Sequence, residues 1–120
     1  MDDTRFLAEV VSMARIYVRH GRFDLARRLL RDFILMEENL AQPRPYALAM
    51  AYYNLGEVYS DHGNYLIASD LQHQAAQHWE SRNPDKSVDL LWYANTLTQL
   101  EHETDRLIRE YQREREIGIA

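Results

Sequence analysis

Five histidines, His20, His62, His73, His78 and His102, are the first side chains to test for chemistry. His73 and His78 stand five apart, about 140° around a helix, whereas metal ligation from one helix face uses a spacing of three or four. Asp70 and His73 have that spacing but supply only two ligands, so no metal site is expected. His20 and His62 each precede a glycine. A partly charged imidazole at a helix C-terminus interacts well with the negative end of the dipole, and a structural role follows for both. There is no cysteine, which removes disulfides, thiolate metal sites and thiol nucleophiles together. The four glycines are isolated, so no phosphate-cradling loop exists. No serine has the setting of a nucleophile elbow. No carboxylate lies in an apolar run that would raise its pKa. The expectation is a protein that is not an enzyme and needs no cofactor.

Charge narrows the partners. Nineteen acids against fourteen bases give a net charge of −5. The one basic region is Arg15, Arg19, Arg22, Arg27, Arg28 and Arg31, interrupted by Asp24 and Asp32. On helices these arginines point in several directions, which suits a solvated face better than a nucleic-acid surface. The longest apolar run, Phe33-Ile34-Leu35-Met36, is far shorter than the roughly 20 residues that span a bilayer. Met1-Asp2-Asp3 is acidic where a secretory leader needs a basic start. A cytoplasmic location, without membrane or nucleic acid, is therefore expected. The 120 residues suffice for one domain.

The elements that must position any site emerge from an internal repeat. Displaced by 42 residues, Tyr17 falls on Tyr59, His20 on His62, Gly21 on Gly63, Ala26 on Ala68 and Leu29 on Leu71. Val10, Met13, Ala14 and Tyr17 lie at i, i+3, i+4 and i+7, one face of a helix. Tyr52, Leu55, Gly56 and Tyr59 repeat that face. Gly21 or Gly63 then breaks the chain, since glycine accepts positive φ without steric cost. A second helix follows with Phe23, Ala26, Leu29, Leu30 and Phe33, or with Tyr65, Ala68, Leu71 and Ala75. The small residues Ala14, Gly56, Ala26 and Ala68 recur where two helices would cross closely.

The punctuation agrees with two helix pairs. Gln42-Pro43-Arg44-Pro45 separates them. Asn83 reads as an N-cap, with Pro84 at the first helical position and Asp85 near the positive dipole end. Helices are predicted near 3–20, 22–40, 45–62, 64–81, 85–100 and 102–117. Leu90, Tyr93, Ala94 and Leu97 repeat the first-helix face at a displacement of 38. Beyond them the pattern fails: Glu101 stands where glycine stood and Arg106 where the small alanine stood. The charged segment with a narrow Leu107, Ile108, Tyr111 stripe suits a capping helix.

This face-turn-face pattern resembles the tetratricopeptide repeat, in the long 42-residue form similar to that of kinesin light chains. The carriers are Val10, Met13, Ala14, Tyr17 and Ala26, then Tyr52, Leu55, Gly56, Tyr59 and Ala68; Tyr53-Asn54-Leu55-Gly56-Glu57-Val58-Tyr59 is the best local match. Gln72 departs from the pattern, standing where the second helix usually carries a large residue. The resemblance implies an all-α fold, a right-handed superhelical stack of antiparallel helix hairpins. It divides the chain into a repeat at about 5–40, a second at about 45–81 and a capping hairpin at about 85–117. It also implies a concave surface formed by the first helices, binding a protein or peptide. On that surface it places Ser12, Arg15 and Arg19, then Tyr53, Asn54, Glu57 and Asp61, then Trp92, Asn95 and Gln99. Ala8, Val11, Met50 and Leu91 share it. Asn54 falls where related repeats hold a ligand's backbone, and its amide offers both donor and acceptor. Val11, Tyr53 and Leu91 equally suit simple packing between helices. Arg15 and Glu57, and Arg19 and Asp61, are repeat-equivalent and would face each other across the trough.

The helix at 22–40 carries more apolar residues than one stripe needs: Leu25, Leu29, Leu30, Phe33, Ile34, Leu35, Met36 and Leu40. The chain ends in Ile117-Gly118-Ile119-Ala120. These surfaces point to a homodimer, or to excision from a longer bacterial regulator or secretion-system protein, as the alternative to simple peptide capture.

Overall fold

The structure, a computed structural model, describes residues 3–118; Met1, Asp2, Ile119 and Ala120 lie outside the described residues. It is all-helical, with α1 (Asp3–Arg19), α2 (Phe23–Glu38), α3 (Pro45–Asp61), α4 (Tyr65–Trp79) and α5 (Pro84–Glu116). Each helix packs on the next, and α1 also touches α3.

The two predicted bends are the same structure built twice. Gly21 has φ +72° and Gly63 φ +85°. The Arg22 N–H donates to the Tyr17 carbonyl at 2.8 Å and the Gly21 N–H to that of Val18 at 3.0 Å. In the second copy Asn64 donates to Tyr59 at 2.9 Å and Gly63 to Ser60 at 3.0 Å. This is the Schellman closure, in which a left-handed residue satisfies carbonyls that the helix end would otherwise orphan. Asn83 caps α5 as its sequence predicts, its Oδ1 accepting from the Lys86 N–H at 3.1 Å.

The predicted break near residue 101 is absent. Residues 84–116 form one helix of 33 residues, not the two predicted as 85–100 and 102–117, so the described residues form five helices and no capping hairpin. No glycine or proline stands between Pro84 and Gly118, and nothing local interrupts the hydrogen-bond ladder. A helix of that length measures about 50 Å, and the molecule is correspondingly elongated, 64 × 32 × 20 Å.

The core follows the repeat. Val10, Ala14, Ala26, Leu30 and Phe33 are buried in the first pair; Tyr52, Leu55, Ala68, Leu71 and Ala75 in the second; Leu90, Ala94 and Leu97 on α5. Met13, predicted on the packed face, is instead exposed beside Ser12 and Ile16 on the outward side of α1. Of the surplus apolar residues on α2, Leu30, Phe33 and Ile34 are buried, while Leu35 and Met36 are exposed.

Two of the polar side chains buried in this core have no solvent exposure at all. Glu37 is fully buried, and the Arg44 guanidinium grips it with two bonds of 2.6 Å, Nε on Oε1 and Nη2 on Oε2. The Arg44 backbone N–H adds a third at 3.2 Å. Gln72 is also fully buried, and its Nε2 donates to the Tyr53 carbonyl at 3.1 Å. Gly56 explains how α4 carries an amide there. A Cβ on Gly56 would stand 2.4 Å from Gln72 Nε2 and 3.4 Å from the Ala68 carbonyl oxygen.

This crossing yields a double-mutant test. Alanine is the better helix former by about 1 kcal/mol, yet Gly56→Ala should destabilise by about 1–2 kcal/mol in urea unfolding, because the enclosed amide has nowhere to move. In a Gln72→Ala background the same substitution should be neutral or stabilising, giving a coupling of at least about 1 kcal/mol.

Candidate functional site

The last two turns of α1 and of α3 run side by side and leave a groove between them. Val11, Ala14, Val18, Leu30 and Val58 give it an apolar floor. Arg15 and Arg19 stand on the α1 wall; Tyr53, Asn54, Glu57 and Asp61 stand on the α3 wall. The cavity volume is about 290 Å³, at the small end of the range for ligand pockets. Six residues predicted for a binding surface are thus brought together: Arg15, Arg19, Tyr53, Asn54, Glu57 and Asp61.

The opposed charges do not close on each other. Among the described residues, neither arginine forms an ion pair with Glu57 or Asp61. The Tyr53 phenol lies between the two signs. Burial pushes its pKa up, Glu57 adds to that, and Arg15 opposes it. Asn54 is only 5% exposed. Its Nδ2 donates to the Met50 carbonyl of its own helix at 2.8 Å. One of its two amide N–H donors is thereby engaged, which leaves the second N–H and the oxygen.

The remaining predicted residues fall elsewhere. Ser12 is exposed and lines a shallow hollow with Arg5, Ala8, Glu9, Met13 and Ile16. Trp92 is 69% exposed, and Asn95 and Gln99 are exposed as well; none of the three lines the groove. A residue of α5 that does hydrogen-bond to α3 is Tyr93, one position and about 100° from Trp92. Its hydroxyl donates to Glu57 Oε1 at 2.5 Å. Burial, more than the Glu57 hydrogen bond, pushes the Tyr93 pKa up to about 12. Tyr93 was read from sequence as part of the packed face. The missed signal was its hydroxyl, which needs a partner once the ring is covered.

A second cavity of about 660 Å³ continues beyond Tyr53, between α3 and the start of α5. Met50, Leu90 and Tyr93 line it with Asp85, Lys86 and Asp89. The two hollows share Tyr53 and together extend from the arginines of α1 to Asp85 and Asp89 of α5.

The lining of the groove contains no histidine and no serine. No group of three or more His, Asp or Glu side chains among the described residues could hold a metal ion. No described helix is long and apolar enough to cross a membrane. The arrangement offers shape, two charges of each sign and an amide oxygen. His62, expected to be structural, stacks on Phe23 at 4.1 Å between ring centroids. Compared with family models, curated proteins and solved structures, the chain matches none.

The Tyr93 contact has a pH signature. Its folded-state pKa of about 12 exceeds the ordinary 10.0, so the stability it contributes is complete below pH 10 and is lost as pH rises from 10 towards 12. Tyr93→Phe should cost about 1 kcal/mol near neutrality. Thermal melts from pH 8 to 12 should show a shallower alkaline decline for the variant than for the wild type.

Proposed function

We propose that the chain is a non-catalytic protein- or peptide-binding module whose helix pairs stack as in tetratricopeptide repeats, in a right-handed superhelix. The fold resemblance rests on the duplicated glycine turns and the small residues at the crossings. The binding reading rests on one observation: a groove with an apolar floor is lined by two arginines and two carboxylates that form no ion pair with each other among the described residues, Glu57 accepting only from the neutral Tyr93 hydroxyl. Charges left open beside apolar surface favour an occupant carrying both signs on an apolar segment. A groove already formed by packed helices loses little freedom on binding. The second reading, a self-assembling unit, draws on the distal half of α5, where Leu107, Ile108 and Tyr111 are exposed.

Peptides selected from a displayed random library against the whole chain provide the test. Binding, measured by fluorescence anisotropy, should weaken at least about tenfold, or 1.4 kcal/mol, in Arg15→Ala/Arg19→Ala and in Asn54→Ala. The thermal midpoint of the arginine variant should stay near that of the wild type, since both residues are exposed. Selected peptides that bind all these variants equally would remove the groove assignment.

A further inference from the structure

Among the described residues, no other helix covers the distal half of α5. Every side chain from His102 to Arg109 is exposed, as are Tyr111 to Gly118. Helical geometry gives this segment three strips. Leu107, Ile108 and Tyr111 form an apolar one. Glu103, Glu110 and Glu114 follow one edge, at spacings of seven and four. Arg115 lies on the side of Leu107 and Tyr111 away from these glutamates, between Tyr111 and Ile108 around the helix, its guanidinium 5.9 Å from the centre of the Tyr111 ring.

The groove between α1 and α3 presents the complement. Its apolar floor is flanked by Arg15 and Arg19 on one wall and by Glu57 and Asp61 on the other. Arg15 and Arg19 are four apart on a helix, a rise of about 6 Å, and so are Glu110 and Glu114. Laid in the groove with Leu107 and Tyr111 on the floor, the segment sets Glu110 and Glu114 along the arginine wall. Arg115 then faces the carboxylate wall. Arg106 already donates to Glu110 at 2.8 Å; a carboxylate has acceptor capacity for a second donor.

The segment cannot enter its own groove. It is the uninterrupted continuation of a helix whose first half packs on α4, and an unbroken helix does not double back. Resting on the groove reading above, we infer that the occupant is the distal half of α5, residues 102–116, of a second copy. Each copy gives a helix and receives one, which closes a two-fold pair with two identical contacts. The mode is a helix in a groove, with apolar anchors at i and i+4.

Charge exchange tests this directly. Sedimentation of the full chain between about 1 and 100 µM should show a monomer–dimer equilibrium. Arg15→Glu/Arg19→Glu and Glu110→Arg/Glu114→Arg should each weaken dimerisation at least about tenfold, and the chain carrying all four changes should recover it. Leu107→Glu/Tyr111→Glu, at exposed positions, should be monomeric with unchanged helical circular dichroism. A wild type that stays monomeric, reversals that leave the dimer intact, or a fourfold variant that fails to recover would each overturn the proposal. The two readings fail separately. A monomeric wild type that binds selected peptides through Arg15 and Arg19 ends the helix exchange and keeps the groove. A dimer that obeys the charge exchange but takes up no peptide, even as Leu107→Glu/Tyr111→Glu, keeps the exchange and ends the general peptide-binding reading.

Discussion

A carboxylate with no access to water must be matched, and Glu37 is matched by Arg44 through three hydrogen bonds. Removing one partner of such a pair leaves a buried charge, which costs about 3–5 kcal/mol. The constraint is geometric as well. Glu37 lies in the last turn of α2, and Arg44 is the residue from which α3 starts. Side chain and backbone of Arg44 both bind the same carboxylate, so the direction in which α3 leaves the linker is set by α2. The groove depends on that direction, because its two walls belong to helices on opposite sides of this joint.

Within each pair the decisive quantity is interaxial distance. Ala26 and Ala68 are fully buried, and Gly56 lies against α4 so closely that its missing Cβ makes room for an amide. Gln72 uses that room to reach a backbone carbonyl on α3. Aromatic contacts finish the seams: Phe23 packs on Tyr59 and His62, and Tyr46 meets Trp79 edge-on. The result is a packed support for the groove, on whose walls Arg15, Arg19, Glu57 and Asp61 stand.

Much of this was legible in the sequence. The paired glycines and the recurring small residues encode turn chemistry and close approach, both local requirements that leave a period of 42 residues. Asn83-Pro84-Asp85 announced the start of α5 for the same local reason. The sixth helix was misread because the repeat template called for a turn at Glu101, while the local residues contained no breaker. Glu37 gave no signal, and Gln72 stood out only as a departure from the repeat pattern: a lone acid or amide on an amphipathic helix looks like any solvated residue until its partner's position is known. In the third unit, apolar matches aligned Tyr93 with Leu55 and moved Trp92, Asn95 and Gln99 onto the concave side. On a helix, one residue of slip is 100° of rotation. The tyrosine ring satisfied the apolar pattern while its hydroxyl served the groove.

The two tryptophans occupy opposite extremes of solvent contact. Trp79 is buried beneath the Lys86 ammonium at 4.9 Å, whereas Trp92 stands in water on the outer side of α5. Their fluorescence is therefore separable without any label. A soluble quencher reaches the indole at 92 and leaves the one at 79 shining, so a single cuvette distinguishes events at the surface of the last helix from loosening of the interior.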